Sequence, residues 1–174
     1  MSAKIFFTDG SCKKNPGPGG YGVVNLTLEN EQLKINTCIS KQTEEQTTNN
    51  REEIKAILEV FHMAAEDVEN QYIIYSDSAY CVNMINDWIW NWAKNNWLNS
   101  KKVRVENYDL VLQLYSYISK DFFNCQIKKC SGHSSIIGNE LADALATNNL
   151  NKFKKIIKDN LIIIEEDIDF LKKL

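Results

Sequence analysis

The first apolar burst, residues 4–8 with Ile5-Phe6-Phe7 at its centre, reads as a strand that stops at Asp9. GSCKKNPGPGGYG follows, with two prolines and five glycines, and reads as a turn. Residues 21–28 and 33–40 alternate loosely around the polar ENEQ, the pattern of a hairpin that extends the first strand into an antiparallel meander. A helical period takes over at 50–65. QYIIYSD is a short apolar, aromatic strand that again ends in an aspartate. Residues 78–86 are helical, a Trp-rich segment runs to Trp97, and NSKKVRVEN is a basic loop. Then come a helix at 108–119, a strand in NCQIKKC, a loop in GHSSIIG and a helix at 139–149. This order predicts an α/β domain: a mixed sheet with helices on its faces.

Two glutamates, Glu52 and Glu53, sit side by side in the helix at 50–65. At ~100° per residue, Ile54, Ile57, Leu58, Phe61 and Ala65 share the core side. Glu52 falls almost opposite, beside Lys55, and is expected to face water with that lysine as a helical partner. Glu53 falls roughly 80° from the stripe centre, at its edge. Taken alone, this leaves Glu53 open between a half-buried site and a solvated face.

The other acids weigh on that choice. Asp9 and Asp77 each end an apolar strand, and a right-handed crossover would make those strands parallel neighbours, so that both aspartates meet in the crevice where open α/β sheets place their sites. Asp143 is expected in the first turns of a helix whose buried side includes Leu141, Ala142 and Leu145. Four converging carboxylates need a cation, and an all-oxygen set favours Mg²⁺ or Mn²⁺. Two such ions ~4 Å apart are a known device for phosphoryl transfer.

Composition adds exclusions. The 174 residues suit one domain with a short appendage, and no apolar run approaches the ~20 residues of a membrane helix. The N-terminus has neither a signal nor a transit pattern, and five scattered cysteines without a C-x-x-C pair suggest reduced thiols. A cytoplasmic or nuclear protein is expected. The net charge of −3 gives no general basic signal, so any nucleic-acid affinity must come from a local patch.

TDGSCKKNPGPGGYG, TTNNREE, YSDSAYCV and SGHSSIIGNELADALA, in that order across about residues 3–149, resemble the type 1 ribonuclease H family. The resemblance implies a ribonuclease H-like α/β fold: a five-stranded mixed sheet, three antiparallel strands then parallel ones, flanked by helices. It implies endonucleolytic hydrolysis of the RNA strand of an RNA–DNA hybrid with two Mg²⁺ ions, or Mn²⁺, leaving 5′-phosphate and 3′-hydroxyl ends. By motif position the metal-binding, catalytic carboxylates fall on Asp9, Glu53, Asp77 and Asp143, with the glutamate two residues after the arginine of NNR. The family's mobile-loop histidine falls on His133, ten residues before Asp143. Asn15, Asn49 and Asn50 match contacts to the RNA backbone, and Thr48 and Asn107 match a DNA-phosphate pocket. Trp88, with Tyr80 nearby, matches an aromatic that packs against DNA sugar. Gln46 stands where many relatives carry arginine, which weakens that pocket electrostatically.

The segment 93–105, with Lys94, Lys101, Lys102 and Arg104, corresponds to the family's basic protrusion. The catalytic domain is placed at 1–150 and an amphipathic tail at 151–174, helical in spacing although NLIII reads equally as a strand. The tail is expected to pack back onto the domain, or onto a partner, clear of the active site. A monomer with no obligate protein partner is expected. Two alternatives stand beside this reading: an integrase-type nuclease acting on double-stranded DNA, and a hybrid-binding domain without chemistry.

Overall fold

The computed structural model describes residues 3–130 and 133–165, and in the second segment side chains from residue 136 onward. The strands are β1 (Ala3–Cys12), β2 (Gly17–Glu29), β3 (Gln32–Thr47), β4 (Gln71–Ser76), β5 (Cys125–Lys129) and β6 (Ile163–Ile164). They form one sheet in the order β5-β4-β1-β2-β3-β6. The helices are α1 (Asn49–Glu66), α2 (Ala79–Asn83), α3 (Ile89–Lys94), α4 (Tyr108–Ile118), α5 (His133–Ala146) and α6 (Leu150–Asp159), with a π turn at Met84–Trp88 joining α2 to α3.

β1, β2 and β3 form the expected antiparallel meander, and β4 and β5 add in parallel beyond β1. The sheet has six strands rather than five, because the tail supplies β6, parallel to β3 through Lys34–Ile163 and Ile35–Ile164. The glycine-rich stretch is a turn only in part. Gly19 and Gly20 pair with Thr43 and Gln42, so β2 starts at Gly17 and β3 runs on to Thr47.

Neighbouring residues of each central strand serve opposite cores, as the two-residue pleat requires. Phe6, Val23 and Ile74 pack with Ile57, Phe61 and Leu114 under α1 and α4. Phe7, Val24 and Ile35 pack with Leu141, Leu145 and Phe153 under α5 and α6.

Two expectations about helices are corrected. Gly132 lies outside the described residues, but from His133 onward GHSSIIG is not a loop, since α5 begins at His133 and ends at Ala146. Gly138 lies inside it because a Cβ there would strike the Phe7 ring at 2.3 Å, so the glycine marks close packing rather than a turn. Gly22 of β2 plays the same part, its Cβ direction meeting the Ala142 carbonyl at 2.4 Å. In α1 the buried set is Glu52, Glu53, Ile54, Ala56, Ile57, Val60, Phe61 and Ala64, broader than the predicted stripe and turned toward Glu53. The helix is covered by the sheet on one side and by α4 on another, and a one-sided wheel sees only the first.

The tail follows both alternatives in succession. Asn149 caps α6 by accepting the Lys152 N–H, Phe153 is fully buried, and β6 follows two residues after Leu161. Ile168 and Leu171 of the tail's stripe lie outside the described residues. Among the described residues no helix is long and apolar enough to cross a membrane. All five cysteines are free thiols.

The loop from α1 to β4 is tied to the first strand by Asp67, which accepts from Lys4 at 2.8 Å, from Asn70 and from the Tyr72 hydroxyl at 2.9 Å. The Lys4 hydrogen bond, then those of Asn70 and Tyr72, hold the Asp67 carboxyl down to about 2. A depressed carboxyl stabilises the fold above its unfolded value of ~3.9, and that contribution is lost as pH falls toward 2. Urea unfolding at pH 5, 3 and 2 should show an acid-side loss of stability that Asp67→Asn flattens. An unchanged slope in Asp67→Asn would remove this tie from the acid response.

Candidate active site

The parallel ladder between β1 and β4 ends at the Thr8–Ser76 pair, and the next residues on each strand are Asp9 and Asp77. β1 itself continues against β2, with Asp9 opposite Gly22, so Asp9 is buried while Asp77 is exposed beyond its strand. Glu53 comes from the first turns of α1, whose start is fixed by Thr48: its hydroxyl accepts the Arg51 N–H at 3.2 Å. The approach is as close as backbones permit. A Cβ on Gly10 would lie 2.2 Å from the Glu53 nitrogen.

One oxygen from each of Asp9, Glu53 and Asp77 lies within 4.8 Å of the others. Burial pushes the Glu53 carboxyl well up, and the neighbouring Asp9 charge adds to this. Burial likewise raises Asp9, with the Asp77 and Asp143 charges adding. Ionising both carboxyls of this buried pair without a nearby positive charge is therefore unfavourable. Glu53 Oε2 is buried with no hydrogen-bond partner. An all-oxygen donor set with an orphaned carboxylate oxygen fits a hard divalent cation such as Mg²⁺ or Mn²⁺.

Asp143 lies in the third turn of α5 rather than the first, because the helix starts six residues early. It is near enough for its charge to act on Asp9, but it stands outside the trio. Its Oδ2 accepts from Lys152 Nζ at 2.7 Å, and the same ammonium lies 2.8 Å from Glu140 Oε2. The tail therefore does touch the acidic centre, contrary to expectation, because α6 turns back along α5 and delivers its first-turn lysine there.

Glu52 is corrected too: it is fully buried. Its Cγ direction lies over Gly19, and its Oε2 is 2.9 Å from Lys55 Nζ, which also donates to Thr43. The pair is close but out of hydrogen-bond alignment, and Oε1 has no partner. The polar extension of β3, through Thr43 and Thr47, rises around the start of α1 and covers the face that looked solvated. Lys55 is its partner as predicted, in a buried setting instead of on the surface.

The remaining candidates gather beside the acids. Asn15, Thr48, Asn49, Asn50 and Asn107 line a cleft of about 510 Å³ together with Glu106. Asn49 is held from two sides, its Oδ1 accepting from the Cys12 N–H at 2.6 Å and its N–H donating to Asn15 Oδ1 at 3.1 Å. Asn107 adopts the left-handed conformation at φ 58 and donates to the Tyr80 hydroxyl at 3.2 Å. Arg51 grips Asp109 through two hydrogen bonds, tying the start of α1 to the start of α4 on either side of this cleft. Trp88 is 37% exposed, with Tyr80 and Trp92 edge-on or tilted against it. Trp92 and Trp97 instead pack against the core.

The His133 side chain lies outside the described residues. Three residues near the site were not singled out from sequence: Glu106, Glu140 and Lys129, whose ammonium donates to the Asp77 carbonyl. Glu140 carried a signal, three residues from Asp143 on one helix face. The other two carried none, since each reaches the site only through the tertiary fold.

Comparison with known proteins follows this geometry. The RNase H domain of PFV matches with TM-score 0.66 at 24% identity, covering 83% of this chain and 92% of that one. A foamy viral protease-reverse transcriptase in complex with dsDNA matches with TM-score 0.70 at 25% identity, covering 82% and 90%. These likenesses define the class as the RNase H fold. The family model described as RNase H matches residues 1–151. Ribonuclease H of Caldicellulosiruptor saccharolyticus is 37% identical over 155 residues, covering 88% of this chain and 100% of that protein. Ribonuclease HI of Pasteurella multocida is 42% identical over 140 residues, covering 80% and 84%. The chain belongs to the RNase H family of hydrolases.

A raised carboxyl holds its proton more tightly in the fold than in the unfolded chain. The cation-free protein therefore loses stability as pH rises above the unfolded value of ~4.5. Glu53→Gln imitates the protonated form. It should stabilise the cation-free protein at pH 8 by about 1–3 kcal/mol, each ~1 kcal/mol raising Tm by roughly 2–4 °C at this chain length. The same variant should lose most of the stabilisation that Mg²⁺ gives the wild type. A lower Tm for Glu53→Gln in EDTA would mean that Glu53 is held by contacts rather than strained by its neighbours.

Proposed function

We propose that this chain hydrolyses the RNA strand of RNA–DNA hybrids with two divalent ions, Mg²⁺ or Mn²⁺, leaving 5′-phosphate and 3′-hydroxyl ends. The observation that carries the reading is the Asp9–Glu53–Asp77 trio, set at the end of a parallel ladder beside an amide-lined cleft. Membership of the RNase H family supports it.

Asp9 belongs to the trio and also feels the charge of Asp143, so Asp9, Glu53, Asp77 and Asp143 are the residues that would hold the ions. When bound, the ions supply positive charge to the attacking water and to the leaving 3′-oxygen. The rest of the work belongs to the chain. Asn15, Asn49 and Asn50 present amides to the RNA backbone and its 2′-hydroxyls, the groups that separate RNA from DNA. Thr48 and Asn107 hold a DNA-strand phosphate. Trp88, with Tyr80 behind it, gives the DNA sugar a flat apolar surface. His133 moves a proton near the scissile bond or helps product leave. Because these contacts address backbone and shape, cleavage is largely independent of sequence.

Incubation of labelled hybrid, double-stranded RNA and double-stranded DNA with Mg²⁺ tests the reading. Cleavage confined to the RNA of the hybrid is expected. Cleavage of double-stranded DNA would favour the integrase-type alternative, and binding without cleavage the non-catalytic one. Asp9→Asn should abolish turnover and leave hybrid binding largely intact, since affinity comes mainly from backbone contacts. More than a few per cent of wild-type turnover in that variant would defeat the metal assignment.

Trp88→Ala should weaken hybrid binding by ~1–3 kcal/mol with a smaller effect on the chemical step. Its partial exposure predicts an unchanged circular dichroism spectrum. A variant that unfolds would assign the ring to the core.

A further inference from the structure

Lys152 belongs to none of the acidic motifs, yet its ammonium touches one of the four acids. It sits in the first turn of α6, and its placement is built rather than incidental. Asn149 accepts its backbone N–H at 3.1 Å, and the next residue, Phe153, is fully buried in the second core. From there Nζ reaches Asp143 Oδ2 at 2.7 Å and Glu140 Oε2 at 2.8 Å. The lysine side chain is 30% exposed, so the contact is screened but not dissolved by water. Asp143 thus faces two ways, toward the cluster around Asp9 and toward a cation that the chain itself supplies.

We propose that Lys152 is a positioning residue: it holds Asp143 as an internal counter-ion, and a divalent cation arriving on the Asp143 side of the site must compete with it. The inference rests on the reading that the four carboxylates bind metal. Glu140 gives the exchange a route. When Asp143 turns to the incoming ion, the ammonium keeps its second carboxylate and is not left unpaired. The chain therefore sets by its own charge how readily the last carboxylate joins the metal set. Lys152 also keeps Asp143 from adding its full charge to the repulsion in a cation-free site.

The test needs no turnover. Mn²⁺ is titrated into the full-length protein without nucleic acid, and the free ion is followed by electron paramagnetic resonance. Lys152→Gln should bind Mn²⁺ more tightly by ~3–10-fold, the scale of one partly screened charge beside the site. Lys152→Arg, which keeps the charge, should restore the wild-type affinity. Glu140→Gln should act in the opposite direction and weaken binding by ~2–5-fold, because the ammonium is then left to Asp143 alone. Unchanged or weaker Mn²⁺ binding in Lys152→Gln would overturn the proposal and reduce the contact to a tie between helices. If Lys152→Gln fails to fold, Glu140→Gln decides, and unchanged affinity there overturns it equally. Wild-type protein that binds no Mn²⁺ would instead defeat the metal reading of the site, an outcome distinct from a normal wild type with an indifferent Lys152 variant.

Discussion

The backbones of β1 and α1 touch at Gly10, and the acidic centre depends on that contact. Asp9 and Glu53 are carboxylates on adjacent surfaces, burial makes both harder to ionise, and the Asp9 charge adds to this at Glu53. Two carboxylates do not of themselves assemble such a pair. The apolar core beneath α1 does, through Ile54, Ile57 and Phe61 packed on Phe6, Val23 and Ile74. The parallel ladder then adds Asp77, and the close packing of α5 on Gly22 adds Asp143. Folding thus sets these carboxylates close together, in an arrangement whose repulsion a divalent ion would relieve.

The surface beside the acids is uncharged where it is most intimate. The cleft lined by Asn15, Thr48, Asn49, Asn50 and Asn107 has amides and a hydroxyl but no cation, and Glu106 brings a negative charge to its rim. Arg51 holds Asp109 through two hydrogen bonds and also donates to Asn107 Oδ1 at 3.5 Å. Gln46 is neutral too, and segment 93–105 carries Lys94, Lys101, Lys102 and Arg104 in a chain of net charge −3. That segment is ordered by its own contacts: Arg104 donates to the Asn96 carbonyl at 2.7 Å and lies 4.6 Å from the Tyr108 ring centroid.

Much of this was legible because the signals were local. Asp9 and Asp77 stand at the ends of apolar strands, and the parallel pairing of those two strands is the one expected for a right-handed crossover. The errors share a different cause. Residues 41–47 of β3 are mostly polar, so no hydrophobic period marks them as a strand, and without that strand Glu52 looks solvated. Gly138 reads as a loop residue until the ring of Phe7 is placed against it. Lys152 looks like one of several tail lysines until α6 is folded back onto α5. In each case the missing information was which surface another element covers, and periodicity within one element does not carry it.

The π turn at Met84–Trp88 has a consequence for how this domain tolerates change in length. Such a turn holds one more residue than an α-helical turn would, and each residue advances the direction of a side chain by ~100°. Cys81 before the turn, Met84 and Ile85 within it and Ile89 after it are all buried, while Trp88 at its end is partly exposed. Loss of one residue here would straighten the rod and swing the exposed indole away from Tyr80 while the buried anchors kept their seats. Length at this point therefore sets the direction of the Trp88 ring separately from the seats of the buried residues.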